Sequence, residues 1–355
     1  MQTRLTRRFN LSTPIALAPM ALASGGALAA ACADVGALGL IGGGYGELAW
    51  TQKQHALAHQ IVDAQHALPQ TRDVIRSRLG IGFITWKLDE DASALDWVLD
   101  QPSALLPSVV MLSFGDARRY SGRIAAAGAK LICQIQRLDQ VQQAIDAGAD
   151  VIAAQGAEAG GHGMNALNGR ATMTLVPELA DWLASHSPDT LLLAAGGIAD
   201  GRTLAAALML GADGALVGSR LWATAESLAA QGAKDQALAI GGDGSARSSV
   251  FDILRRKNWP APYDFRALRN DLHRRWEDRI EALRADPQAA RADYDAGVSA
   301  SDFSRAHATV GEAVGLIHDL PAASQLIHRM DQEASHAIGN ISRINISPVT
   351  QAALS

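Results

Sequence analysis

One short joint recurs along the N-terminal part of the chain and narrows the folds open to it. A helix-like segment ends in x-Gly-Ala-x, and an apolar, β-prone run follows at once. The joint stands at Val35-Gly36-Ala37-Leu38, Ala127-Gly128-Ala129-Lys130, Ala147-Gly148-Ala149-Asp150 and Leu210-Gly211-Ala212-Asp213. Glycine after a helix accepts the left-handed conformation that closes the last turn. The chain then enters a strand that reads continuously apolar, as strands buried on both faces do. Gly128 and Gly148 lie one helix-plus-strand unit apart. Repeats of this unit predict a parallel sheet with its helices outside.

Strand candidates fall at 15–18, 38–41, 80–84, 108–112, 130–134, 151–155, 191–195 and 214–217. Helical segments at 92–100, 118–127, 138–147, 175–185 and 201–210 separate most of them. Eight such strands fit an α/β fold of the (β/α)8 TIM-barrel type. A doubly wound open sheet needs fewer strands and usually an early GxGxxG. A single barrel can exceed the usual domain size, so 355 residues do not force two domains. Beyond about residue 224 charge rises, Trp259, Pro260 and Pro262 appear, and β-type runs fade. Segments 266–295 and 311–332 read as helices, the second with an apolar stripe at Val314, Ile317, Leu320 and Ile327. The expected organisation is a barrel over 1–230 and a smaller C-terminal helical cap or lid over 231–340.

Hydrophobic residues make up 48% of the chain and charged residues 19%, a globular profile rather than a disordered one. A net charge of −5 offers no electrostatic grip on nucleic acid or an anionic membrane. The basic run Arg255-Arg256-Lys257 reads as a solvated helix face. Cys32 and Cys133 belong to no CxxC or Cys/His cluster, so no zinc or other metal site is expected. With no disulfide framework, a reducing cytoplasm is the default. Arg4, Arg7 and Arg8 before the small apolar stretch 17–33 mimic a secretory signal. Pro14, Pro19 and Ser24-Gly25-Gly26 interrupt that stretch, and it reads instead as a strand, a turn and a buried helix. No apolar run is long enough to predict a spanning helix.

In a barrel the chemistry lies where strands end on their C-terminal side. Strand seven is followed by Ala195-Gly196-Gly197-Ile198-Ala199-Asp200-Gly201, and strand eight by Gly218-Ser219-Arg220. Two neighbouring glycine turns, with bare amides and a helix start, point to a phosphate site to which Ser219 can add a hydroxyl. As mere tight turns they would need no such pairing. Strand six is followed by Gln155-Gly156-Ala157-Glu158-Ala159-Gly160-Gly161-His162-Gly163. Small residues let this backbone lie against a flat ligand, and one histidine is presented from an otherwise inert loop. Histidine titrates near neutrality and suits proton removal from carbon. A lone loop histidine is more often structural, but its place beside the phosphate turns reverses that weighting. His55, His59, His66 and His186 read as surface residues. After strand one, Pro19 fixes the backbone, and Met20 can pack on an aromatic ring system.

Taken together, PIALAPMA, QGAEAGGHGM, AAGGIADG and GADGALVGSR, in this order from Pro14, resemble the nitronate monooxygenase (2-nitropropane dioxygenase) family. That family includes NAD(P)H:quinone reductases and FMN-dependent enoyl-ACP reductases. The likeness continues weakly through VGEAVGLIHDLPAA at 310–323. It implies a barrel with a helical second domain and noncovalent FMN. Ala18 and Met20 would line the flavin, and Gln155 and Gly161 would lie near its ring or ribityl chain. Gly196, Gly197, Gly218 and Ser219 would hold its phosphate, and His162 would be the catalytic base. Two departures concern the tuning of the flavin. Gly80-Ile81-Gly82-Phe83-Ile84-Thr85-Trp86 lacks the asparagine that many members have at the end of strand three, and Gln134 stands where some members carry a lysine at the end of strand five, still able to donate to the flavin.

The expected activity is FMN-dependent oxidation of alkyl nitronates with O2 to carbonyl compounds and nitrite. The alternative is an NAD(P)H-dependent flavin oxidoreductase acting on a quinone or an enoyl thioester. A phosphate-ligand isomerase, aldolase or synthase would reuse the same cup on the same fold. The partners implied are a small-molecule substrate and O2, with no nucleic acid and no membrane. A homo-oligomer is left open.

Overall fold

The computed structural model describes residues 1–340. All four glycine joints close a helix. Gly36, Gly128, Gly148 and Gly211 have φ between +74° and +98°. In each, the following alanine N–H reaches back to a carbonyl five residues earlier: Ala37 to Cys32, Ala129 to Ile124, Ala149 to Ala144 and Ala212 to Ala207. Those alanines are themselves buried, so the turn is welded into the wall it starts.

The strands are β1 (Ile15–Leu17), β2 (Gly39–Gly44), β3 (Leu79–Ile84), β4 (Val109–Ser113), β5 (Lys130–Ile135) and β6 (Val151–Gln155), then β7 (Gly161–Met164), β8 (Leu191–Ala195), β9 (Gly214–Val217), β10 (Ser245–Ser248) and β11 (Tyr263–Leu268). Eight of them form a parallel sheet in the order β1-β9-β8-β6-β5-β4-β3-β2. Leu17 N–H donates to the Leu38 carbonyl at 2.8 Å and Leu38 N–H to Ile15 at 3.0 Å, which brings β2 back to β1. The expected (β/α)8 barrel is therefore present. Alternate residues face opposite layers. Val109 and Met111 join the inner core with Leu40, Ile132, Val151 and Leu193. Val110 and Leu112 pack outward against the helices. Leu5 and Phe9, on the helix Arg4–Phe9, join that inner core and close the end of the barrel where β8 and β9 begin.

The stretch 17–33 forms the end of β1, a turn and most of the buried helix Gly26–Asp34. Among the described residues no helix is long and apolar enough to cross a membrane.

The tail departs from the expected all-helical pattern. It contains two strands, β10 and β11, which pair antiparallel with each other, and β11 pairs antiparallel with β7 on its other edge. Segment 266–295 is not one helix: β11 runs to Leu268, and three helices follow at Asp271–Trp276, Ile280–Ala285 and Gln288–Ser299. Segment 311–332 is divided as well, into a 3-10 turn at Glu312–Leu316 and a helix at Ala323–Gly339. Pro321 stands between them, and the residue before a proline is disfavoured in helix. The helix Ala323–Gly339 packs on the barrel helix Gly201–Met209. Leu326, Ile327 and Met330 share one apolar cluster with Leu204 and Ala207.

His55 and His59, read as surface residues, are buried between the helix Leu48–Gln65 and its neighbours. Their ring centroids lie 4.5 Å apart with the planes tilted by 51°, and His55 Nε2 donates to the Leu105 carbonyl.

Leu326 is 1% exposed in the seam between tail helix and barrel. Leu326→Ala is expected to cost about 2–5 kcal/mol of stability, read as a lower urea midpoint with an unchanged slope. A change within about 0.5 kcal/mol, the usual range for surface substitutions, would show that the tail helix is not part of the cooperative unit.

Candidate active site

The C-terminal ends of the barrel strands open into a cavity of about 830 Å³. That is within the ~300–1,000 Å³ usual for small-molecule sites. Ala18, Met20, Gln134, Gln155 and Gly161 line it. So do His162, Gly196, Gly197, Gly218 and Ser219. The barrel thus gathers all ten residues singled out from the sequence, although they are spread over 200 positions of chain.

The two glycine turns present donors. Among the described residues nothing accepts a hydrogen bond from the N–H of Gly197, Gly218 or Ser219. Gly197 has φ +76°, a conformation other residues rarely hold, and a Cβ there would meet nothing within 4 Å. Ser219 Oγ accepts from Gly311 N–H at 2.8 Å, which leaves its hydroxyl proton free to donate. Met20 lies alongside: a Cβ on Gly218 would be 3.8 Å from its sulfur. These neighbouring turns, rich in free N–H donors, suit an anion such as a phosphate. Asp200, the one acid in the AAGGIADG motif, is occupied as the N-cap of Gly201–Met209, accepting from Thr203 N–H at 2.9 Å.

The loop after β6 is held from outside. Glu158 caps the helix Thr172–His186 by accepting from Thr172 N–H at 3.0 Å. Half-buried Arg247, on β10, donates to the carbonyls of Ala159 (2.8 Å), Gly161 (3.2 Å), Ala157 (3.4 Å) and Asp264 (2.7 Å). Burial, with Arg266 nearby, lowers its pKa to about 10, so it stays charged at neutral pH. A glutamine chain continues inward. Gln155 donates to the His162 carbonyl at 3.0 Å and accepts from Gln134 at 2.9 Å and Gln136 at 3.0 Å.

His162 stands on β7, opposite Phe265 of β11. Its Nε2 is 2.9 Å from Asp252 Oδ1, on the helix Val250–Leu254. A carboxylate accepts, so Nε2 carries the proton and Nδ1 is the basic nitrogen. Trp259 stacks on the imidazole with centroids 3.4 Å apart and planes 12° apart, and its Nε1 donates to Tyr45 OH at 3.0 Å. Burial is the largest influence on His162 and depresses its pKa, Asp252 opposes that, and Arg255 and Arg247 lower it again, to about 4. The imidazole is therefore neutral at pH 7 and able to accept a proton. A second imidazole lines the same cavity. His307 Nδ1 lies 2.7 Å from Tyr294 OH, and burial, then Arg255 and His162, bring its pKa to about 3.

Sequence reasoning missed Asp252, Trp259, Arg247, Tyr294 and His307. All lie in the aperiodic tail, where no local motif marks them. Nor is the basic run 255–257 a solvated helix face: Arg255 and Lys257 are half-buried and line the cavity.

His162, His307 and His59 share one pH signature. Burial first, then a neighbouring His55, lowers His59 to about 4. Unfolded histidine titrates near 6.5, so the unfolded chain binds more protons as pH falls. Their contribution is fully present above about pH 6.5 and is lost as pH falls towards about 4 and 3. The urea midpoint is expected to fall steadily from about pH 7 to about pH 4.5. His59→Leu, which also removes a buried Nδ1 without a partner among the described residues, is expected to make that fall shallower. A midpoint that rises on acidification would mean the folded protein holds these imidazoles charged.

A family model for nitronate monooxygenase matches residues 2–333. A nitronate monooxygenase of Neurospora crassa is 28% identical over 345 residues, covering 91% of this chain and 89% of that protein. FabK from Thermotoga maritima superposes with a TM-score of 0.77 at 24% identity, over 97% of this chain and 99% of that one. Nitroalkane oxidase from Streptomyces ansochromogenes gives a TM-score of 0.73 at 24% identity, over 94% and 99%. These two structures speak for the fold. The family model runs through barrel and tail alike, and on that ground this chain belongs to the nitronate monooxygenase family and is an oxidoreductase.

Proposed function

We propose that this protein is an FMN-dependent nitronate monooxygenase. The carrying observation is an imidazole, backed by a carboxylate, in a cavity whose other wall offers unsatisfied amide donors. The N–H groups of Gly196, Gly197, Gly218 and Ser219, with the Ser219 hydroxyl, would hold the FMN phosphate. Ala18, Met20, Gln134, Gln155 and Gly161 would lie along the rest of the cofactor. The chemistry that FMN supplies when bound is one-electron oxidation of the nitronate, after which O2 completes its conversion to a carbonyl compound and nitrite.

The chain's own residues handle the proton. A neutral nitroalkane must lose its α-proton first, and Nδ1 of His162 takes it. Asp252, hydrogen-bonded to Nε2, fixes the tautomer and stabilises the imidazolium that forms. Trp259, stacked on the imidazole, shields it from bulk water. A nitronate added as the anion has no proton to lose.

His162→Asn is expected to cut kcat/KM for neutral nitroethane by about 10²–10⁴-fold and to leave ethylnitronate turnover within a few fold. Full activity of this variant on the neutral nitroalkane would refute the base assignment. Rapid anaerobic bleaching of the flavin by NADH or NADPH, with no turnover of nitronates, would favour a reductase instead.

The phosphate site has its own test. FMN is expected to bind at least about tenfold more tightly than riboflavin, a difference of about 1.4 kcal/mol. Ser219→Ala should narrow that gap without changing the riboflavin affinity, as followed by flavin fluorescence. Equal affinities for the two flavins would place the phosphate elsewhere.

A further inference from the structure

The basic run 255–257 follows the helix that carries Asp252, and neither the phosphate cradle nor the proton step uses it. Its members point different ways. Arg256 is exposed and pairs with Asp295 at 2.7 Å. The Lys257 ammonium lies over the Tyr45 ring at 4.2 Å. The Arg255 guanidinium lies over the Phe265 ring at 4.7 Å, and the His162 imidazole packs on that same ring at 4.7 Å. Arg255 lines the cavity, and its Nη1 is buried with no hydrogen-bond partner among the described residues. Two carboxylates of the tail near it are engaged elsewhere, Asp252 on His162 and Asp295 on Arg256. A cation with a buried, unsatisfied donor in an aromatic cavity is costly unless something anionic completes it.

We propose that Arg255 is a substrate-binding residue that receives a planar two-oxygen anion of the substrate, a nitronate or a carboxylate, beside His162. The proposal rests on the nitronate reading above and names the group that anchors its substrate. Nitronate and carboxylate share the flat, forked shape that a guanidinium meets with two parallel hydrogen bonds, which an ammonium cannot reproduce. With the nitro group on Arg255, the base step acquires its electrostatic partner. The α C–H bond breaks and the proton passes to His162. The bonding pair enters the C–N bond, and the negative charge comes to rest on the nitro oxygens, facing the guanidinium. With a carboxylate on Arg255, the residue selects acidic nitronates over simple alkyl ones.

The test is calorimetric titration of the flavin-loaded protein with sodium nitrate and sodium propionate, two planar oxyanions that need no turnover. Wild type should bind both. Arg255→Gln should weaken them about 10- to 100-fold, the effect of losing hydrogen bonds to a charged group. Arg255→Lys, which keeps the charge and loses the fork, should fall between, and it decides the matter if the glutamine variant does not fold. Failure of both anions to bind wild type, or equal binding by the variants, would overturn the proposal. Steady-state kinetics then separate the two sources. A raised KM for both ethylnitronate and a carboxylated nitronate places the nitronate on Arg255, and a raised KM for the carboxylated one alone places the carboxylate there. An unchanged KM for both overturns the assignment. A protein that binds these anions through Arg255 but turns over no nitronate would keep the anion site and remove the monooxygenase reading.

Discussion

Residues 156–163 carry only two large side chains, Glu158 and His162, so the loop that presents the imidazole is held mainly by groups outside it. The guanidinium of Arg247 binds three of the loop's carbonyls and one of β11, while Glu158 ties the loop to Thr172 and Gln155 holds the His162 carbonyl. Charge-assisted hydrogen bonds are stronger than neutral ones, and a buried cation requires its acceptors to converge. The small sheet β10-β11-β7 shares the task, because β7 is the loop's continuation and pairs with β11. The imidazole thus depends on the tail for its backbone geometry as well as for its carboxylate.

The cavity divides its work between rigid rim and tail. Strand ends contribute backbone donors, short side chains and the glutamine chain, all carried on a wall with apolar layers on both sides. The tail contributes the larger chemistry-bearing groups: Arg255, Trp259, Tyr294 and His307 line the cavity, and Asp252 stands behind His162. Charge is balanced to keep the imidazoles neutral. Burial and two arginines oppose protonation of His162 more strongly than Asp252 favours it. A neutral base facing an unsatisfied cation suits a reaction in which a proton leaves and negative charge builds on the remaining fragment.

The barrel was legible because its strands are buried on both faces. Such strands read as unbroken apolar runs, and each joint needs glycine for a local reason. The tail was legible only as a change of composition. In β11, Phe265 and Ala267 are buried while Asp264 and Arg266 are half-buried, a period-two pattern masked by its charges. Ser245-Ala246-Arg247-Ser248 has almost no apolar character and is a strand only because β11 is there to pair with it. Asp252 lies 90 residues from His162, and no local spacing links them. His55 and His59 misled because two polar residues on a helix resemble a wet face until the packed neighbours are known.

Composition, the repeated joints and the glycine turns by themselves determined the barrel and the rim on which chemistry must lie, and the motifs with the family likeness they carry named the ten residues gathered there. Those features are local, since each follows from what one turn or one strand requires of its own backbone. Only the tertiary structure decided which carboxylate partners His162, that the tail runs as strands beneath it, and that Arg255 faces the cavity instead of solvent. These are contacts between distant segments. Their energies depend on burial and on mutual orientation, and neither exists until the chain has folded.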